Sequence, residues 1–162
     1  MPITFVDKDP ENLTLTITST YEADIKRVWH LWADPRQLER WWGPPDYPAT
    51  FIEHDLSSGG EMLYKMTGPE GEEFFGRWQI VAIDPPHRIE VKDVFANPDG
   101  SPNYELPSTE FEVHLDEGDS GTTMMLLSRF PSPESMAQLI EMGMEEGIQA
   151  AMGQIDDILT EA

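Results

Sequence analysis

The stretch SPESMAQLIEMGMEEGIQAAMGQIDDILTEA, Ser132 to Ala162, decides the fold. Met136, Ile140, Met144, Ile148, Ala151, Met152, Ile155, Ile158 and Leu159 recur at intervals of three and four residues, which places them on one apolar stripe of a helix. The spacing predicts a single long helix of about seven turns or more, running to the C-terminus. Ser132 suits its N-cap, and Pro133 suits the first helical position, where a missing N–H leaves nothing unpaired. Gly143, Gly147 and Gly153 each weaken such a helix by ~1 kcal/mol relative to Ala. Their presence therefore predicts either close approach to a packing surface or open space beside it.

Upstream of that helix lies the surface it needs. Leu13, Leu15 and Ile17 alternate with threonines, the period of a half-buried strand. Asp24 then fits the N-cap of a short helix whose apolar face is Ile25, Val28, Trp29 and Trp32. Pro35 ends that helix or opens a second, which carries Leu38, Trp41 and Trp42 and stops at Gly43, Pro44 and Pro45. From there to Phe130 the period is two, interrupted where turn residues cluster. Strands are predicted over Thr50 to His54, around Met62, Tyr64 and Met66, over Phe74 to Ile83, through Ile89, Val91 and Phe95, through Phe111, Val113 and Leu115, and over Thr122 to Ser128. Asn97 to Pro107, with three Pro and one Gly among polar residues, reads as a long loop and a candidate lid. The expectation is one α+β domain, residues 1–162: an antiparallel sheet of about seven strands around a long C-terminal helix, with two short helices after the first strand.

Composition narrows the function. Thirty-one Asp and Glu against ten Lys and Arg give a formal charge of −21, which opposes binding to phosphate backbones or anionic lipid. Nucleic acid and membranes are thus not expected as partners. The acidic residues are dispersed, as on a solvated surface; a saline host or a basic partner protein are the other readings. The absence of Cys excludes disulfides, thiolate metal sites and a cysteine nucleophile. The N-terminal MPITFVDKDPEN lacks the basic start and apolar run of a signal peptide, and no apolar run nears the ~18 residues of a membrane span, so residence in the cytoplasm is expected.

No segment carries the spacing of a cofactor site. His30, His54, His87 and His114 are far apart in the chain, so no metal is expected. Gly118 to Gly121 reads GDSG, the nucleophile segment of trypsin-like proteases, but Thr122 departs from that pattern, and the same residues between two apolar runs are ordinary hairpin chemistry. Neither a dinucleotide loop nor a phosphate loop is present, and no cofactor is expected.

Four segments together carry a family resemblance: ADIKRVWHLWADPRQLERWWGP (Ala23 to Pro44), SSGGEM (Ser57 to Met62), GRWQIVAIDPPHRIEV (Gly76 to Val91) and MEEGIQAAMGQIDDIL (Met144 to Leu159). Over nearly the whole chain the sequence resembles the activator-of-Hsp90-ATPase-homologue-like domains of the START-like superfamily. The resemblance implies a helix-grip fold, a curved sheet holding a helix with a cavity between them. One departure is visible. Family members often carry Trp directly after the glycine of the last helix, whereas Gly147 is followed by Ile148, a smaller residue that enlarges or reshapes the implied pocket.

In that architecture Trp42, Met62, Tyr64, Trp78, Phe95, Phe111, Met144, Ile148 and Met152 are the expected cavity lining, although residues of these types also simply build cores. Asp93, His114 and Arg129 are the polar candidates, with Arg77 and His54 behind them; strand alternation sends several of these outward. The leading expectation is a small-molecule binding module for an apolar or amphipathic ligand. The resemblance also implies two alternatives, a chaperone-related protein-interaction domain and a cyclase- or aromatase-like enzyme, but no convincing acid and base pair stands out. It leaves homodimer formation open.

Overall fold

The computed structural model describes residues 3–160. Among these are eight strands, β1 (Ile3–Asp9), β2 (Thr14–Tyr21), β3 (Ala49–His54), β4 (Glu61–Thr67), β5 (Glu73–Asp84), β6 (Arg88–Ala96), β7 (Thr109–Gly118) and β8 (Gly121–Arg129). The helices are α1 (Ile25–Ala33), α2 (Pro35–Trp42), α3 (Pro133–Glu141), α4 (Met144–Met152) and α5 (Ile155–Leu159). The strands form one antiparallel sheet in the order β1-β2-β8-β7-β6-β5-β4-β3.

Three expectations are corrected. The sheet has eight strands, not about seven, because β1 pairs with β2 at the edge, and the two short helices follow the second strand instead of the first. The C-terminal helix is three segments, not one. Met142 closes α3, Gly143 adopts a left-handed φ of 93°, and α4 starts afresh; Gly153 closes α4 before α5. Only glycine takes that φ without strain, so Gly143 is the hinge of the break. Glu161 and Ala162 of the expected helix lie outside the described residues.

The capping residues act as their positions imply. Asp24 accepts the Arg27 N–H at 2.8 Å, Asp34 accepts the Arg36 N–H at 2.9 Å, and Ser132 accepts the Ser135 N–H at 3.1 Å, each satisfying a donor that a helix N-terminus leaves free. Pro35 and Pro133 open α2 and α3. Gly118 to Gly121 forms a tight hairpin turn between β7 and β8, the ordinary reading of GDSG.

Alternation divides the sheet into two faces. Leu15, Ile17 and Tyr21 of β2, Met124 and Leu126 of β8, Phe111, Val113 and Leu115 of β7, Ile89 and Val91 of β6, Trp78 and Ile80 of β5 and Met62 of β4 all point inward and are buried. Val28, Leu31 and Trp32 of α1 and Leu38 and Trp41 of α2 seal part of that face with almost no exposure. Met152, Ile155 and Ile158 anchor the far end of the C-terminal segments in the same core. Gln154 ties them to α2, donating through Nε2 to the Gly43 carbonyl at 2.7 Å and to the Trp41 carbonyl at 3.4 Å. Gly43 itself has no room for a side chain, since a Cβ there would run into the backbone of Tyr47 and Ala49.

Candidate functional site

Where α3 and α4 pass over the middle of the sheet they leave a cavity of about 480 Å³. Its floor is the inner face of β4, β6, β7 and β8, through Tyr64, Met66, Asp93, Phe95, Thr109, Phe111, Leu126 and Ser128. Its roof is Leu139, Met142, Gly143, Met144, Gly147, Ile148 and Ala151, and one wall is Trp41, Trp42 and Pro44 of the WWGP segment. Tyr47, Phe74, Val94 and Pro107 complete the lining, and Phe74 and Met142 are among the exposed large apolar residues. The helix break at Gly143 thus lies in the roof. A volume of this size falls in the range of small-molecule sites, and the lining is mostly apolar.

Two glycines beside the cavity, Gly76 of β5 and Gly147 of α4, behave differently. At Gly76 a neighbour fills the space: the Tyr64 ring lies across it, and a Cβ would collide with the tyrosine Cζ and Oη. At Gly147 nothing does. A Cβ there would meet only Pro44 Cγ, at 3.9 Å, so the position faces open cavity.

An aromatic cluster forms the wall and part of the floor. Trp42 packs edge-on against Trp78 with ring centroids 4.7 Å apart and stacks on Phe111 at 5.8 Å. Phe51 lies 5.1 Å from Tyr64, and Trp32 meets Trp41 edge-on at 4.8 Å. Trp41 donates its indole N–H to the Leu31 carbonyl at 3.0 Å, and Trp32 donates to Met124 Sδ at 3.4 Å. By contrast the N–H groups of Trp42 and Trp78 are buried and find no hydrogen-bond acceptor among the described residues. Both lie near the Tyr64 hydroxyl, and that of Trp78 also lies near Asp93, close enough to favour the ionised form of each but outside ordinary hydrogen-bond geometry.

Asp93 is the one carboxylate in the lining. Register places it on β6 between Trp78 of β5 and Thr109 of β7, on the inner face. It keeps some accessible area because it borders the cavity, yet it sits deep beneath the protein surface. Burial pushes its carboxyl up to about 7, with the nearby Trp78 N–H opposing only in part. Burial likewise raises the Tyr64 hydroxyl, and the charge of Asp93 raises it further.

Of the expected lining, Trp42, Tyr64, Phe95, Phe111, Met144 and Ile148 meet in the cavity, together with Asp93. Met62, Trp78 and Met152 do not line it; each is packed solid in the core beside it, at 0–1% exposure. His114 and Arg129 are on the opposite face of the sheet. There Glu112 Oε1 accepts from Arg88 Nη2 at 3.0 Å and pairs with His114 Nε2 at 3.1 Å, while Glu112 Oε2 pairs with Arg129 Nη1. Arg77 pairs with Glu53 and Glu61, and His54 Nε2 bonds to the Trp32 carbonyl at 2.9 Å. The Asn97 to Pro107 loop gives the cavity only Pro107; Pro102 and Tyr104 border a separate, polar groove with Arg77 and Lys92. The loop is therefore not a lid in this structure. Sequence reasoning passed over Pro44, Met66, Leu126, Leu139 and Ala151 as lining. The alternation through β4 and β8 and the stripe of the C-terminal segments carry the signal for most of them. Among the described residues no cluster of His, Cys, Asp and Glu could hold a metal ion, and no helix is long and apolar enough to cross a membrane.

These features coincide with known relatives. The profile of the family described as Activator of Hsp90 ATPase homolog 1-like protein matches residues 22–160, and the chain belongs to that family. The crystal structure of protein Ms6760 from Mycobacterium smegmatis is similar at 44% identity and a TM-score of 0.91, covering 99% of each chain. A solution structure from Arthrobacter aurescens is similar at 47% identity and a TM-score of 0.93, covering 98% of this chain and 92% of that one. CalU16 from Micromonospora echinospora, at 21% identity, a TM-score of 0.58 and coverage of 90% and 78%, shares the fold alone. No curated protein matches the chain.

Proposed function

We propose that this protein is a small-molecule binding module that holds a mostly apolar ligand between the sheet and α3–α4, in the manner of a helix-grip domain. The supporting observation is Gly147. A helix that needed only to pack would fill that position, because side chains other than proline improve on glycine in a helix interior and the space is open. Leaving it bare keeps the roof open beside Ile148 and Met144.

The energetics fit a weak apolar site sharpened by a few polar contacts. Burying roughly 200 Å² of ligand surface contributes about 5 kcal/mol at ~25 cal/mol per Å², before ordering costs. Micromolar affinity requires ~8 kcal/mol, so at least one or two polar contacts must supply the remainder. Gly147→Leu tests the reading. It should raise stability, by ~1 kcal/mol from helix propensity alone, while abolishing binding of an apolar probe such as 2-ethylnaphthalene followed by tryptophan fluorescence. Undiminished probe binding in a stable Gly147→Leu variant would remove this cavity as the site.

A further inference from the structure

The polar contacts such a ligand requires have a place in the lining. Asp93, Tyr64 and Trp42 all line the cavity on the β6 and α2 side, and Trp78 stands immediately behind Asp93 in register with it. One of these lining groups, the indole N–H of Trp42, is a buried donor without an acceptor; that of Trp78 is also unpaired but lies in the packed core beside the cavity, not in its lining. An indole N–H can only donate, and leaving one unpaired away from water is unfavourable, so such groups persist where they serve an acceptor. The Tyr64 hydroxyl, held over Gly76 by the absence of a side chain there, adds a second donor to the same corner.

Resting on the reading of the cavity as a binding site, we infer that this corner recognises an uncharged, largely apolar molecule through a carbonyl oxygen, met by the Trp42 indole N–H, the Tyr64 hydroxyl and the Asp93 side chain. An anionic ligand fits less well: no cation pairs with Asp93 among the described residues, and the whole protein carries a formal charge of −21. A hydrocarbon would leave every donor unpaired. A carbonyl presents two lone pairs to the donors converging on the corner and adds no charge to a low-dielectric space.

The state of Asp93 makes recognition depend on pH. Burial keeps its proton on up to about 7, so the carboxyl donates below neutrality and becomes an acceptor-only carboxylate above it. The groups facing it are Tyr64 from β4, Trp78 from β5, Thr109 from β7, Trp42 from α2 and, across the cavity, Met144 and Ile148 from α4. Of these only Tyr64 ionises, and its hydroxyl is raised, so it stays protonated through the same range. The other titratable lining residue is Tyr47.

The test is a matched pair of probes, 2-acetylnaphthalene and its near-isostere 2-ethylnaphthalene, titrated into the full-length protein near pH 5.5 and pH 8.5. At the lower pH the ketone should bind about tenfold more tightly, the worth of roughly one net hydrogen bond. At the higher pH the preference should shrink to within about threefold, while the hydrocarbon binds equally at both. Asp93→Asn, whose amide donates at any pH, should retain the preference at both values; Asp93→Leu should show only the reduced preference, within about threefold, at both. Equal binding of ketone and hydrocarbon by wild type at both pH values would overturn the inference and leave the cavity reading standing. Saturable binding of neither probe would defeat the cavity reading and the inference with it.

Discussion

Replacing Asp93 by Asn should stabilise the protein increasingly as pH rises toward neutrality and leave it unchanged only in acid, below the ordinary carboxylate value. An unfolded-state aspartate has its ordinary value of 3.8, whereas burial raises the folded-state value to about 7. The folded state therefore binds more protons than the unfolded state between these two values, and stability falls as pH rises through that window. At about 1.4 kcal/mol per pKa unit, the full penalty is roughly 4 kcal/mol, complete just above neutrality. Asn has nearly the shape of the protonated acid and carries no charge to bury, so it avoids the penalty. Allowing for relaxation of the cavity, the expected gain near pH 8 is about 2–4 kcal/mol, or roughly 5–15 °C in Tm for a chain of this size. The difference should shrink steadily as pH falls through that window, and the two proteins should unfold together only below the ordinary carboxylate value of 3.8. The assay is urea unfolding of both proteins across that range, taking the difference between them, so that the general repulsion among the other acidic residues cancels. Parallel curves with no pH-dependent difference would refute the placement of Asp93 in a buried, unpaired setting.

Two further substitutions probe the surroundings. Gly76→Ala should cost about 1–3 kcal/mol, measured by urea unfolding, because its Cβ collides with the Tyr64 ring; it should also weaken ketone binding more than hydrocarbon binding by displacing the hydroxyl. Glu112→Gln should cost roughly 1 kcal/mol at low salt, since its Arg88 and Arg129 partners are each a little under half exposed, and less in molar salt; probe affinity should not change.

The inner face of the sheet was legible because its strands alternate with period two, and the caps at Asp24 and Ser132 because few residues serve that position. β1 gave no such signal. Only Ile3, Phe5 and Val6 among its seven residues are strongly apolar, and Phe5 and Val6 are exposed, so no buried face marks the edge strand. The break at Gly143 is hidden for a different reason: Ile140 and Met144 stand four residues apart across it, and the apolar stripe runs through unchanged.

Alternation also separates the polar candidates. Asp93 shares parity with Ile89, Val91 and Phe95 and points inward, whereas His114 lies between Val113 and Leu115, and Arg129 follows Ser128, so both point outward. Lateral position is what the pattern lacks. Met62 and Trp78 occupy the correct face but lie where other side chains close over them, and only the folded geometry separates that part of the core from the open volume under α4.

The most direct test of the cavity as a binding site is an intermolecular NOE experiment with 2-ethylnaphthalene on protein carrying labelled methionine, isoleucine and leucine methyls. The expected result is NOEs from the probe to Met144, Ile148, Leu126 and Leu139, which face the cavity from roof and floor. NOEs confined to sites outside the cavity such as the exposed Ile52, or a saturated complex with none to the cavity methyls, would contradict it.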